Sequence, residues 1–295
     1  MRAAGDLVRS VLGVGMIVAP GAAAATSGWV TAATAAAIGS AALIFRFAPF
    51  GGRAVSGVGE LPAPHRWIYA AGFTGGGAFM LSAAVELSRA AAVPTGALGA
   101  ALAAAGILVC VGGLPGRLPD VRLAATAVVA AGLAWFPATG QVLTDGVTPV
   151  TALAAGLLMC VGWERLARQR VPVAGLVLAA GVVIAVWLVL VLVGGSRAIT
   201  GFGEAGVGFP ETLVGVAAAV LLVTYAATNA RAVAGFAGAG STGARATWGR
   251  VAVLVAMGAA AAAVPAEGRW WLLSLPGAAI VILYTGFLLD GVRGK

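Results

Sequence analysis

From Val171 to Ser196 the chain carries no charged side chain, and apolar runs of this kind recur along its whole length. Roughly 20 apolar residues in a helix cross the ~30 Å hydrocarbon layer of a bilayer. In hydrocarbon only helices and closed barrels satisfy their own backbone groups. Charged residues are 9% of the 295, against about 25% in a soluble domain, which rules out a water-soluble globule. The 45 glycines follow no collagen period; they suit packed membrane helices, where small residues let backbones approach. One His and two Cys are too few for a metal cluster. Cys110 and Cys160 lie in apolar runs and are expected as reduced, buried thiols.

Ten spans are expected, at about 7–26, 28–49, 67–91, 96–113, 120–142, 148–166, 171–195, 210–237, 248–266 and 269–290. They are separated by turn-forming clusters such as Pro49-Phe50-Gly51-Gly52 and Gly112-Gly113-Leu114-Pro115-Gly116. With the N-terminus inside, all basic residues but Arg89, Arg197 and Arg269 fall on inner tails and loops, fifteen of eighteen. That is the positive-inside bias, and it accounts for the +8 net charge without nucleic acid. The chain is therefore expected in the cytoplasmic membrane with both ends inside. Seven of eight Trp, all but Trp187, fall near span ends, as in an interfacial belt. Arg2 and Arg9 followed by an apolar run and Ala22–Ala25 also fit a cleaved secretory signal. Gly13, Gly15 and Pro20 interrupt that run, and Asp6 sits in its basic region, against that reading.

Ten spans divide into two sets of five, residues 1–142 and 143–295. A five-span unit starts on one side and ends on the other, so a repeat of it inserts upside down. Inverted repeats of secondary transporters place their site at the midplane, between broken helices in corresponding positions. The expected architecture is thus an all-α membrane protein of ten transmembrane helices, a five-plus-five inverted repeat with helices 1 and 6 broken. Span 1 holds Gly13-Val14-Gly15-Met16-Ile17-Val18-Ala19-Pro20-Gly21, poor helix formers at mid-membrane. Its i→i−4 ladder should fail between Gly13 and Pro20. Span 6 holds Cys160-Val161-Gly162-Trp163-Glu164. Broken helices offer free N–H groups to a carboxylate and free carbonyls to an ammonium or small cation. Gly-x-Gly also serves simply as a packing face.

These segments resemble the amino acid–polyamine–organocation permeases. Gly13–Gly21 is similar to that family's first-span Gly-x-Gly-Ile-Phe-x-x-Pro-Gly. Arg46-Phe47-Ala48-Pro49-Phe50-Gly51-Gly52 resembles its Arg-x-x-Pro-x-Gly-Gly, and Cys160–Glu164 its Phe-x-Gly-Phe-Glu. The resemblance implies a LeuT-like core and a permease for a small amino acid or related amine. It implies that the backbone at Gly13, Gly15, Met16 and Ile17 receives the substrate carboxylate. The carbonyls near Leu158, Cys160, Val161 and Gly162 would receive the amine. The family commonly has an aromatic where Cys160 stands, and two further spans after the tenth; an accessory subunit or a homodimer could replace those.

Coupling to H+ or Na+ is expected, with no other cofactor. Glu86 in span 3 could carry a proton, or pair with Arg89 on its own face. Glu164 could do so, or pair with Arg168. Thr224 and Thr228 share a face of span 8 and could hold sodium, or bond their own backbone carbonyls. In proton-coupled relatives a Lys of span 5 can stand where sodium would; span 5 here has none, with Arg122 at its inner mouth. Gly75-Gly76-Gly77 lets span 3 approach a neighbour or a ligand, and His65 reads as a solvated loop residue. A ten-span drug/metabolite carrier is the alternative, with two similar halves and no need of a broken span 1. Enzyme chemistry is not expected. The chain lacks Asp-x-x-Asp clusters for Mg2+, His-Glu-x-x-His for zinc, and a His or Lys inside a span to activate serine.

Overall fold

The computed structural model describes residues 2–11, 29–47, 63–90, 103–109, 118–135, 171–194, 209–236, 244–265, 271–272 and 274–283, with Leu153, Gly156, Leu157, Cys160 and Trp163. Among these residues the protein is all-helical. The helices are α1 (Arg2–Val11), α2 (Trp29–Phe47), α3 (Ala63–Ala90), α4 (Leu118–Trp135), α5 (Val173–Gly194), α6 (Phe209–Phe236), α7 (Ala244–Ala263) and α8 (Ser274–Leu283). A short helical segment lies at 103–109. In chain order α1, α2 and α3 overlap expected spans 1 to 3, residues 103–109 span 4, and α4 span 5. Helices α5 to α8 overlap spans 7 to 10. Because α3 starts at Ala63, His65 lies in its first turn and not in a loop.

Arg66–Val85, Thr212–Gly235 and Ala246–Ala263 are long and apolar enough to cross a membrane, which makes the chain a membrane protein. Helix α6 is the centre of the packing: 67% of its apolar window is buried, against 11% in α7. Ala218, Ala219, Ala226, Ala227 and Ala230 are almost wholly buried on α6, and small side chains let α3 and α4 lie close. Helix α7 instead turns Trp248 and Val255 outward, where lipid would cover them. Trp67 and Trp271 are also exposed near helix ends, as a belt requires. Trp163 breaks that expectation, being 1% exposed. Short α1 buries Ala4, Leu7 and Val11, a 3–4 spacing that turns one face inward.

The most extensive contact is α3 on α6. Helix α6 also meets α4 and α7, α7 meets α3, and α1 meets α5 and more lightly α4, which also packs on α5. Several approaches are set by glycine. A methyl on Gly72 would strike Ala279 of α8 and lie 3.2 Å from the Leu275 carbonyl oxygen. One on Gly106 would lie 3.3 Å from both Leu254 of α7 and Val223 of α6. One on Gly175 of α5 would lie 3.4 Å from Ala4 of α1, and one on Gly39 of α2 would lie 2.7 Å from Cys160 Sγ.

Candidate functional site

The densest polar cluster among the described residues lies between α4 and α6. Thr224 stands midway along the Thr212–Gly235 span. Its hydroxyl donates to the Leu221 carbonyl at 2.9 Å, and Thr228 Oγ1 donates to the Thr224 carbonyl at 3.0 Å. These are the local bonds that threonine makes inside membrane helices. They leave both hydroxyl oxygens with lone pairs facing α4. Arg122, in the second turn of α4, fills that position. Its Nε donates to Thr224 Oγ1 at 3.2 Å, and its Nη2 donates at 2.6 Å to both the Thr224 carbonyl and Thr228 Oγ1. The guanidinium carbon lies 3.9 Å from the centre of the Tyr225 ring, a cation–π contact. Thr126, one turn on, donates to the Arg122 carbonyl at 2.8 Å and braces that turn.

The residue types explain the geometry. Threonines at i and i+4 share a helix face, and the planar guanidinium fork reaches several oxygens at once while stacking on a ring. Arginine at the centre of a membrane helix is penalised by at least about 2.5–3.5 kcal/mol. Hydrogen bonds to a charged group contribute about 1.5–3 kcal/mol each, so the three made here are of the size needed to hold it. The oxygen pair considered for sodium thus carries a bound cation already. Sequence reasoning put Arg122 at the mouth of span 5, among the loop arginines. The signal that could have placed it was the Thr224–Thr228 pair, a polar stripe inside an apolar span that needs a partner.

A second cluster joins the described part of span 6 to α2. Cys160 N–H donates to the Leu157 carbonyl at 3.0 Å, and Trp163 N–H to the Cys160 carbonyl at 3.4 Å. Both are three-residue closures, so Cys160 sits in a tight turn. From this turn a directed chain of donors runs to α2. Trp163 Nε1 donates to Ser40 Oγ at 3.1 Å, Ser40 Oγ to Cys160 Sγ at 3.6 Å, and Cys160 Sγ to the Ala36 carbonyl at 3.4 Å. Cys160 is a free thiol and wholly buried. Its side chain therefore faces α2, and only its backbone remains to serve as a substrate contact.

Arg231 of α6 donates from Nη1 to the Val109 carbonyl at 3.1 Å, tying α6 to the last described turn of 103–109. It is a second arginine that the loop tally hid. Of the residues expected at the site, Gly13, Gly15, Met16, Ile17, Leu158, Val161, Gly162 and Glu164 lie outside the described residues, as does Cys110. Glu86 and Arg89 share helix α3, but their side chains lie outside the description. Comparison with known proteins finds no matching family model and no similar curated protein.

Proposed function

We propose that the protein is a secondary active transporter, a ten-span permease with a five-plus-five inverted-repeat core. It moves a small amino acid or related amine across the cytoplasmic membrane by alternating access. The observation that carries this reading is a pattern in the helix contacts. Exchange each span for the one five places along. The contact of span 3 with span 8 maps onto itself, as does that of span 4 with span 9. Span 1 on 7 becomes span 6 on 2, seen at Gly175–Ala4 and at Gly39–Cys160. Span 8 on 5 becomes span 3 on 10, and span 3 on 9 becomes span 8 on 4. A chain built from two related five-span units would pack this way. The other contacts, of α6 with α7 and of α4 with α5 and α1, have counterparts in segments that are described only in part.

The turn at Cys160 supports the break expected in span 6, which the drug/metabolite alternative does not need. The position of Arg122 favours proton over sodium coupling, since sodium on the Thr224 and Thr228 oxygens would meet a like charge at hydrogen-bond distance. An arginine stays protonated, so it cannot itself carry the proton; Glu86 and Glu164 are the candidates for that task. The test is uptake of radiolabelled amino acids into proteoliposomes under imposed pH or sodium gradients. Accumulation driven by an inward proton gradient and indifferent to sodium is expected. Failure of every zwitterion and amine to accumulate would sink the reading.

A further inference from the structure

Thr74, Thr126 and Thr228 each donate to the carbonyl four residues back in their own helix, the local bond that hydroxyl side chains make in membrane helices. Ser40 does otherwise. Its hydroxyl donates across to Cys160 Sγ, and the carbonyl four residues back, that of Ala36, receives the thiol instead. The same Ser40 oxygen accepts the Trp163 indole N–H. One hydroxyl of α2 thus holds the side chains at both ends of the Cys160–Trp163 turn. The turn's own bond, from Trp163 N–H to the Cys160 carbonyl, is 3.4 Å long, beyond the usual ~2.7–3.2 Å, so the backbone alone holds it weakly. Cys160 and Trp163 are almost wholly buried, and a methyl on Gly39 would lie 2.7 Å from Cys160 Sγ, so the turn sits directly on α2.

We infer that Ser40 is a positioning residue for this turn: it staples Cys160 and Trp163 to α2, fixes the Cys160 carbonyl, and so sets the affinity for the amine end of the substrate without touching it. The staple stands on the geometry; its meaning for the amine rests on the permease reading, in which that carbonyl receives an ammonium. A binding group works when the bonds of its neighbours hold it within about 0.5 Å of its productive place. Here those bonds converge on one oxygen.

Two measurements test this. In the full chain with Cys110→Ser, Cys160 is the one thiol, and its alkylation by N-ethylmaleimide in detergent reports opening of the turn. Ser40→Ala should speed alkylation about tenfold, and Ser40→Thr, which keeps a hydroxyl, should hold it near the unsubstituted rate. Trp163→Phe should speed it too. The double variant should fall short of the product of the two single effects, because both remove the same bond. Gly72→Ala, which loosens α3 from α8, should leave the rate unchanged. An unchanged rate in Ser40→Ala, or single effects that multiply in full, overturns the staple. The second measurement is proteoliposome uptake of radiolabelled alanine, leucine and glutamate, each competed by the same acid without its amine (propionate, 4-methylpentanoate, glutarate). Ser40→Ala should raise KM about tenfold at an unchanged maximal rate per folded protein, Ser40→Thr should restore it, and inhibition by the amine-less acid should not change. A KM that stays put, or an equal loss for the amine-less acid, overturns the positioning role and leaves the permease reading standing. No uptake of any of the three by the unsubstituted chain, with alkylation as expected, overturns the permease reading and the role toward the amine with it, and leaves the staple.

Discussion

Arg122, in the second turn of α4, bonds three acceptors and stacks on one ring of α6, and a substitution there removes these contacts together. Arg122→Ala should lower stability by about 2–4 kcal/mol, because the threonine and carbonyl oxygens lose a charged donor. Arg122→Lys should recover only part of that, since an ammonium has no planar fork to span the same acceptors and stack on Tyr225. Thermal unfolding in detergent of the two variants would measure both. Replacing potassium by sodium should leave the melting temperature of the unsubstituted chain unchanged; a rise would mean that sodium does bind. The Trp163–Ser40–Cys160–Ala36 chain belongs to the same scale. Ser40→Ala takes the acceptor from the buried Trp163 indole N–H and should cost about 1–3 kcal/mol. Cys160→Ser preserves the donor order and should cost less than Ser40→Ala in the same melts.

At the scale of elements, glycine sets how near two helices lie, and the obstacle decides what its loss costs. At Gly72 the neighbours of an added methyl are Ala279 and the backbone of Leu275 and Pro276, which cannot move unless α8 moves. At Gly77 the neighbour is the Met257 thioether, a flexible end that can swing aside. Gly72→Ala should therefore destabilise clearly more than Gly77→Ala. Gly181→Ala, with nothing within 4 Å, should stabilise by up to about 1 kcal/mol through helix propensity alone. Denaturant titration of the three variants orders them; Gly72→Ala behaving like Gly181→Ala would refute the close approach of α3 to α8. Helix existence was legible because charge-free runs in hydrocarbon leave the chain few choices. Arg122 and Arg231 were not legible as interior residues, because an arginine near a span end reads as a loop charge until its partners on another helix are known. Trp163 was misread for the same reason: a tryptophan near a span end suits an interface, and only Ser40, 123 residues away in sequence, draws it inside.

For the whole molecule, the exchange of spans five places apart makes a demand on sidedness that the helix contacts alone do not. If the halves are related and upside down, the loops after spans 2 and 7 must open on opposite sides of the membrane, although they occupy corresponding places in the two units. The arginines agree: Arg53 and Arg66 follow span 2, and Arg197 alone lies between spans 7 and 8. A cysteine at Gly57 should then be labelled by a membrane-impermeant maleimide only from the inner face, and one at Gly201 only from the outer. Gly240, after span 8, should behave like Gly57. Two halves inserted the same way up would put Gly57 and Gly201 on one face. That outcome would dissolve the pseudo-symmetry, however well the contacts of spans 3 and 8 matched it, because helix pairs can be exchanged on paper, but a five-span unit ends on the side opposite its start and its repeat must therefore enter upside down.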